Sequence, residues 1–123
     1  MATNDDPVFI AGANGRLYPD VGATLAALET ACDRKAFRVG KPGDFALKIM
    51  LEDHFKSEEA SWAQSDYLQQ FCYVGDNIET DVYFCHNSGI GSVLVLSGLA
   101  KMEKDEEQIK KANPNFILEK FAN

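Results

Sequence analysis

The sequence predicts an α/β domain built on a parallel sheet with helices on both faces. Three observations carry that reading. The apolar runs "FCYVG" (71–75) and "SVLVL" (92–96) are uninterrupted, as strands covered on both sides require. From residue 36 onward, strand-like and helix-like stretches alternate as β-α-β-α-β-α-β, the order that builds a doubly wound sheet. Three strand ends carry glycine beside a polar or charged residue, at Gly40-Lys41, Gly75-Asp76 and Ser97-Gly98. Ligands of such sheets bind at the carboxyl ends of the strands, so these three pairs are expected on one rim.

The elements follow in order. Residues 1–19 are rich in Asn, Asp, Gly and Pro, and Asn14-Gly15 stands between the short runs "VFI" and "RLY", which is the chemistry of a small hairpin. Across 20–33, Leu25, Leu28, Ala31 and Cys32 fall on one helical face. "AFRVGKP" (36–42) reads as a short strand ending at Gly40 and stopped by Pro42. "GDFALKIMLEDHF" predicts a helix with Phe45, Ala46, Ile49 and Met50 as its apolar stripe and Asp44 favourably near its first turn. The polar stretch 57–70 reads as an irregular loop or a short extra helix. "FCYVG" is a strand, "TDVYFCHNSG" a helix closed by Gly89, and "SVLVLSG" a strand. "MEKDEEQIKKA" (102–112) is a charged surface helix ended by Pro114, and "NFILEKF" a last short strand.

Composition narrows the function classes. At 123 residues the chain is one domain or a piece of one, and its 46% hydrophobic content can supply a core. Acids outnumber bases 19 to 12, a net charge of −7, which repels polyphosphate and argues against a nucleic-acid partner. The three cysteines, Cys32, Cys72 and Cys85, read as free, buried thiols of a reducing, cytoplasmic compartment. The N-terminus lacks a signal-peptide pattern, and the longest apolar stretch, near 93–100, is too short to cross a bilayer, so no membrane association is expected.

The chemistry concentrates after the third predicted strand. Asp76 follows Gly75 directly, Asn77 adds a polar ligand or cap, and Asp81 lies about a helical turn further on. A capping acid is the plain alternative for Asp76. Its neighbours favour a Mg²⁺ or phosphate site, because that ion prefers oxygen donors and keeps several waters. Lys41, fixed beside Pro42 at the same rim, would supply an ammonium to a phosphoryl oxyanion. Other patterns carry less. The glycines of "GIGSVLVLSG" precede a strand, the reverse of a dinucleotide fingerprint. Cys72, Cys85 and His86 contain no C-x-x-C pair, which favours packing over zinc. "DNIETD" lacks the glycine and late glutamate of a calcium loop.

Together "VGKP", "VGDNIETD" and the following "GIGSVLVLSG" resemble the C-terminal core of haloacid dehalogenase-like phosphatases. The branch that includes para-nitrophenyl phosphatase, phosphoglycolate phosphatase and pyridoxal phosphatase also shares the opening "ATNDD" and the "ET" before "GKP". The resemblance covers nearly the whole chain apart from 57–70. It implies the C-terminal half of a Rossmann-like core over residues 36–123, preceded by the tail of an inserted cap domain over 1–35. It also implies hydrolysis of phosphorylated small molecules in two steps, through an aspartyl-phosphate. By the same likeness Lys41 neutralises phosphate, Asp76 ligates Mg²⁺, Asp81 orients the lysine or the metal's waters, and Asn77 and Gly75 stand around them. The nucleophile motif D-x-D-x-[TV] is absent from these residues, so the resemblance implies a fragment without turnover of its own.

Two other classes compete with this reading. One is a non-catalytic binding or interaction module derived from a phosphatase half. The other, a phospho-receiver-like domain, fits poorly with the placement of "GKP". Without the family's nucleophile strand, the strand at 71–75 would show an open edge, which predicts homodimerisation or association there.

Overall fold

The computed structural model describes residues 1–12, 14–54 and 65–121. Strands β1 (Val8–Ala11) and β2 (Arg16–Pro19) form an antiparallel hairpin in which Phe9 faces Tyr18. Their rings stack at 5.8 Å. Helix α1 (Val21–Cys32) follows at once, its free N-terminal N–H of Val21 bonded to the Asp20 carboxylate at 2.6 Å. Helix α2 (Phe45–His54), a single-turn α3 (Ser65–Leu68) and strand β3 (Cys72–Gly75) come next. A π-helical turn (Ile78–Val82) leads into α4 (Tyr83–Ser88), then β4 (Gly91–Val95), α5 (Met102–Ala112) and β5 (Phe116–Leu118).

Strands β3, β4 and β5 form a parallel sheet in that order. This is the α/β architecture read from the alternating pattern, and α5 spans the charged stretch 102–112. The register sets Tyr73 opposite Ser92 and Gly75 opposite Leu94. Alternation therefore puts all four on one face. Leu94, fully buried, packs there with Ile78, Val82, Ala100, Ile109 and Ala112. A second cluster joins Phe84, Cys85 and Ile90 to Leu47, Leu68, Phe71 and Tyr73. Buried Ser92 exchanges hydrogen bonds with Asn115, which fixes the start of β5 against β4.

Several expectations are corrected. The strand read over 36–40 is reduced to one bridge, Arg38 beside Ala2. There the N-terminal segment takes the hydrogen bonds that a sheet neighbour would have taken. In α1, Leu28 and Cys32 are exposed, and the buried residue is Glu29. Its carboxylate accepts from the Arg38 guanidinium, from Lys35 Nζ at 2.8 Å and from the Ala36 N–H at 2.8 Å. A charge can be buried because it is fully paired. In α2, Phe45, Ile49 and Met50 face outward, while Leu47 and Leu51 turn in. Of the three thiols only Cys85 is buried, and burial pushes its pKa up to about 11; Cys32 and Cys72 are exposed. The stretch 57–70 ends in α3, and its residues 57–64 lie outside the described ones. No helix is long and apolar enough to cross a membrane among the described residues.

Candidate phosphate and metal site

Strand β3 ends at Gly75, and the chain bends immediately into the π-helical turn. Asn77 caps that turn, its side-chain oxygen accepting the Glu79 N–H at 3.0 Å. The capping duty considered for Asp76 thus falls to its neighbour. The turn brings Asp81 back beneath the strand end, where it is 5% exposed. Its Oδ2 accepts the backbone N–H groups of Asp76 and Asn77, each at 3.0 Å. Its Oδ1 accepts Lys41 Nζ at 2.5 Å. Burial works against the lysine's charge, yet the hydrogen bond and charge of Asp81 outweigh it, and the ammonium is held above the ordinary lysine range. Lys41 also donates to the Tyr73 hydroxyl at 3.2 Å.

Asp76 is held from the other side. Its Oδ2 accepts the Leu99 N–H at 2.8 Å, and its backbone carbonyl accepts the Ala100 N–H at 2.8 Å. Its Oδ1 takes no hydrogen bond among the described residues. Both acids need glycine opposite them. A Cβ at Gly98 would lie 1.6 Å from Asp76 Oδ2, and one at Gly75 would lie 2.2 Å from Asp81 Oδ2.

These groups share one cavity of about 260 Å³, which Lys41, Asp76, Asn77, Thr80, Asp81 and Leu99 line. Val8, Phe9 and Ile10 of the hairpin form a further part of its lining, with Asp6 and Asp20 beside them. Asn77 Nδ2 donates to Asp6 Oδ1 at 3.0 Å, which joins the N-terminal segment to the rim. The structure therefore brings together Lys41, Asp76, Asn77 and Asp81, with Gly75 packed under them. Sequence reasoning missed Asp6, Tyr73, Thr80 and the Leu99 N–H as members of the site. Alternation along β3 was the available signal for Tyr73, since it shares a face with Gly75 two residues on.

The possible ligand atoms lining the cavity are carboxylate, amide and hydroxyl oxygens, which suit Mg²⁺. Among the described residues no three His, Cys, Asp or Glu side chains converge as a metal cage. Asp76, with one oxygen anchored and the other without a hydrogen bond among the described residues, fits an ion that takes few protein ligands and keeps water.

Comparison with known proteins identifies the family and the fold. The HAD-hydrolase-like family model matches residues 38–123. A 4-nitrophenylphosphatase of Schizosaccharomyces pombe is 31% identical over 99% of this chain, which spans only 37% of that protein's length. The p-nitrophenyl phosphatase of Archaeoglobus fulgidus superposes with a TM-score of 0.69 at 26% identity, over 94% of this chain and 41% of its own. A glycerol phosphate phosphatase of Mycobacterium tuberculosis, in complex with magnesium, shares the fold with a TM-score of 0.66 at 24% identity, over 95% of this chain and 32% of its own. With its rim, its sheet and these relatives, the chain belongs to the haloacid dehalogenase-like hydrolases, in the branch of the para-nitrophenyl phosphatases.

Proposed function

We propose that the chain is the phosphate- and metal-holding half of a Mg²⁺-dependent phosphatase acting on small-molecule phosphate monoesters. In this reading residues 1–35 are the tail of a cap and residues 36–123 the second half of the core. The observation that carries it is the convergence of Lys41, Asp76 and Asp81 in one cavity. Lys41 would donate to a phosphoryl oxygen, and Asp81 keeps that ammonium charged and aimed. Asp76 would hold the ion through Oδ1, while the Leu99 N–H fixes its other oxygen. Asn77 and Gly75 shape the loop around the anion. Magnesium, when bound, supplies charge neutralisation at the phosphoryl group. The relative crystallised with magnesium supports that choice of ion. Two exposed thiols, all three cysteines being free, fit a reducing cytoplasmic setting.

A carboxylate placed in line with the phosphorus is still required, and the sequence has no D-x-D pair to supply one. The aspartyl-phosphate route therefore belongs to a longer parent, and this chain alone should not turn over. The test assays the purified chain with Mg²⁺ and para-nitrophenyl phosphate beside a form extended upstream through an apolar strand and D-x-D. Background rates from the first and hydrolysis from the second are expected. Hydrolysis by the short chain that vanishes on Asp76→Ala would overturn the assignment. A non-catalytic binding module is the second reading. It is favoured by the lack of a D-x-D pair in these residues. An upstream coding sequence without that strand and motif would decide for it.

A further inference from the structure

Lys41 is gripped from two sides, and only one of the two partners belongs to the rim motif. An ammonium has three N–H donors. One goes to Asp81 Oδ1 at 2.5 Å and a second to the Tyr73 hydroxyl at 3.2 Å. Tyr73 projects from the middle of β3, on the face it shares with Gly75. Its ring stands edge-on to Phe84 at 5.3 Å, and Phe84 is itself buried, so the phenol has little freedom to turn away. The Lys41 nitrogen also lies 5.2 Å from the centre of the Tyr73 ring. The ammonium is thus fixed in direction as well as in place. A long lysine side chain held by a carboxylate alone would swing about that one contact.

We propose that Tyr73 is a positioning residue that, with Asp81, orients the Lys41 ammonium so that its third N–H meets a single phosphoryl oxygen in the cavity. This rests on the reading of the cavity as a phosphate site. Tyr73 touches neither ion nor substrate and acts through the lysine. Its hydroxyl can accept from Lys41 without cancelling the charge, which a second carboxylate would do.

The experiment compares the wild-type chain with Tyr73→Phe and Lys41→Ala, using inorganic phosphate in the presence of Mg²⁺ as the probe. Phosphate affinity comes from ³¹P NMR titration, and the lysine is followed by its ¹H–¹⁵N ammonium signal. Tyr73→Phe keeps the ring against Phe84 and removes only the hydroxyl. It should weaken phosphate binding by about three- to tenfold, broaden or abolish the Lys41 ammonium signal through faster exchange, and leave the melting temperature in place. A merely structural tyrosine would move the melting temperature and leave the ammonium signal of the folded protein unchanged. Lys41→Ala separates the two levels. If it fails to weaken phosphate binding, the phosphate site itself is wrong. If it weakens binding while Tyr73→Phe changes neither affinity nor the ammonium signal, the site stands and the role of Tyr73 is overturned. If the wild type binds no phosphate, the site reading fails, and an unchanged ammonium signal in Tyr73→Phe would remove the tyrosine as well.

Discussion

At the residue scale, two glycines decide where the rim carboxylates can stand. Gly98 leaves room for Asp76 against the Leu99 N–H, and Gly75 leaves room for Asp81 beneath the strand end. A methyl group at Gly98 would have to displace a carboxylate that a backbone hydrogen bond already pins. Gly98→Ala should therefore cost about 1–3 kcal/mol through overpacking and weaken Mg²⁺ binding by about tenfold to a hundredfold. Thermal melts and Mg²⁺ titration of the Leu99 amide signal would read the two effects. A variant that melts and binds like the wild type would show that Asp76 tolerates the shift. The grouping of Lys41, Asp76 and Asp81 was legible in the sequence because each stands at or just after the carboxyl end of a predicted strand, and such ends share one rim. Tyr73 was hidden because an aromatic inside an apolar run reads as core, and its hydroxyl contact depends on a lysine 32 residues away.

Helix α1 shows what periodicity cannot deliver at the scale of an element. Its buried position is Glu29, whose ion pairs and hydrogen bonds tie the helix to the segment entering the Lys41 loop. A hydrophobic pattern ranks such a residue last. In α2, Leu47 and Leu51 repeat at the same four-residue spacing as Phe45 and Ile49, so spacing alone could not choose the inward pair. The Glu29 network makes a pH prediction. The hydrogen bond from Arg38, then those from Lys35 and the Ala36 N–H, lower the Glu29 pKa from about 4.5 to about 2. A carboxylate with a depressed folded-state pKa stabilises the fold above its ordinary pKa, and that contribution is lost as the pH falls through the folded value. Amide protection in α1 should therefore fade between about pH 4.5 and pH 2. In Glu29→Gln it should be weak at every pH and lose that acid step. Hydrogen exchange followed by NMR across the window is the measurement, and an unchanged acid step in Glu29→Gln would refute the role of the network.

For the whole molecule, the sheet order leaves the outer edge of β3 without a strand partner among the described residues. Phe45, Ile49 and Met50 add exposed apolar surface elsewhere. An open edge favours pairing with another chain, whereas a net charge of −7 opposes bringing two copies together. Salt screens the second effect more than the first. Light scattering should therefore show a dimer that grows with protein concentration and with ionic strength, with added protection of β3 amides. A monomer at all concentrations and salts would remove the edge as a contact. The parallel order of the sheet was readable because "FCYVG" and "SVLVL" are apolar throughout. The bridge between Ala2 and Arg38 was not, because its partners lie 36 residues apart and the N-terminal one carries no strand signal.

Among the described residues the hairpin and the parallel sheet share no strand pairing, although the hairpin and the turn that follows β3 both line the cavity. The floor is set by short hydrogen bonds within the β3 turn, whereas the hairpin side meets it through the link from Asp6 to Asn77. The cavity thus has a stiff coordinate and a soft one. Breathing of the hairpin, a loop-scale motion of nanoseconds to microseconds, would change the width of the opening and leave the spacing of Lys41 and Asp81 unaltered. Tolerance for the size of a bound molecule can then drift through the hairpin residues Val8, Phe9 and Ile10 while the charge arrangement beneath them is conserved.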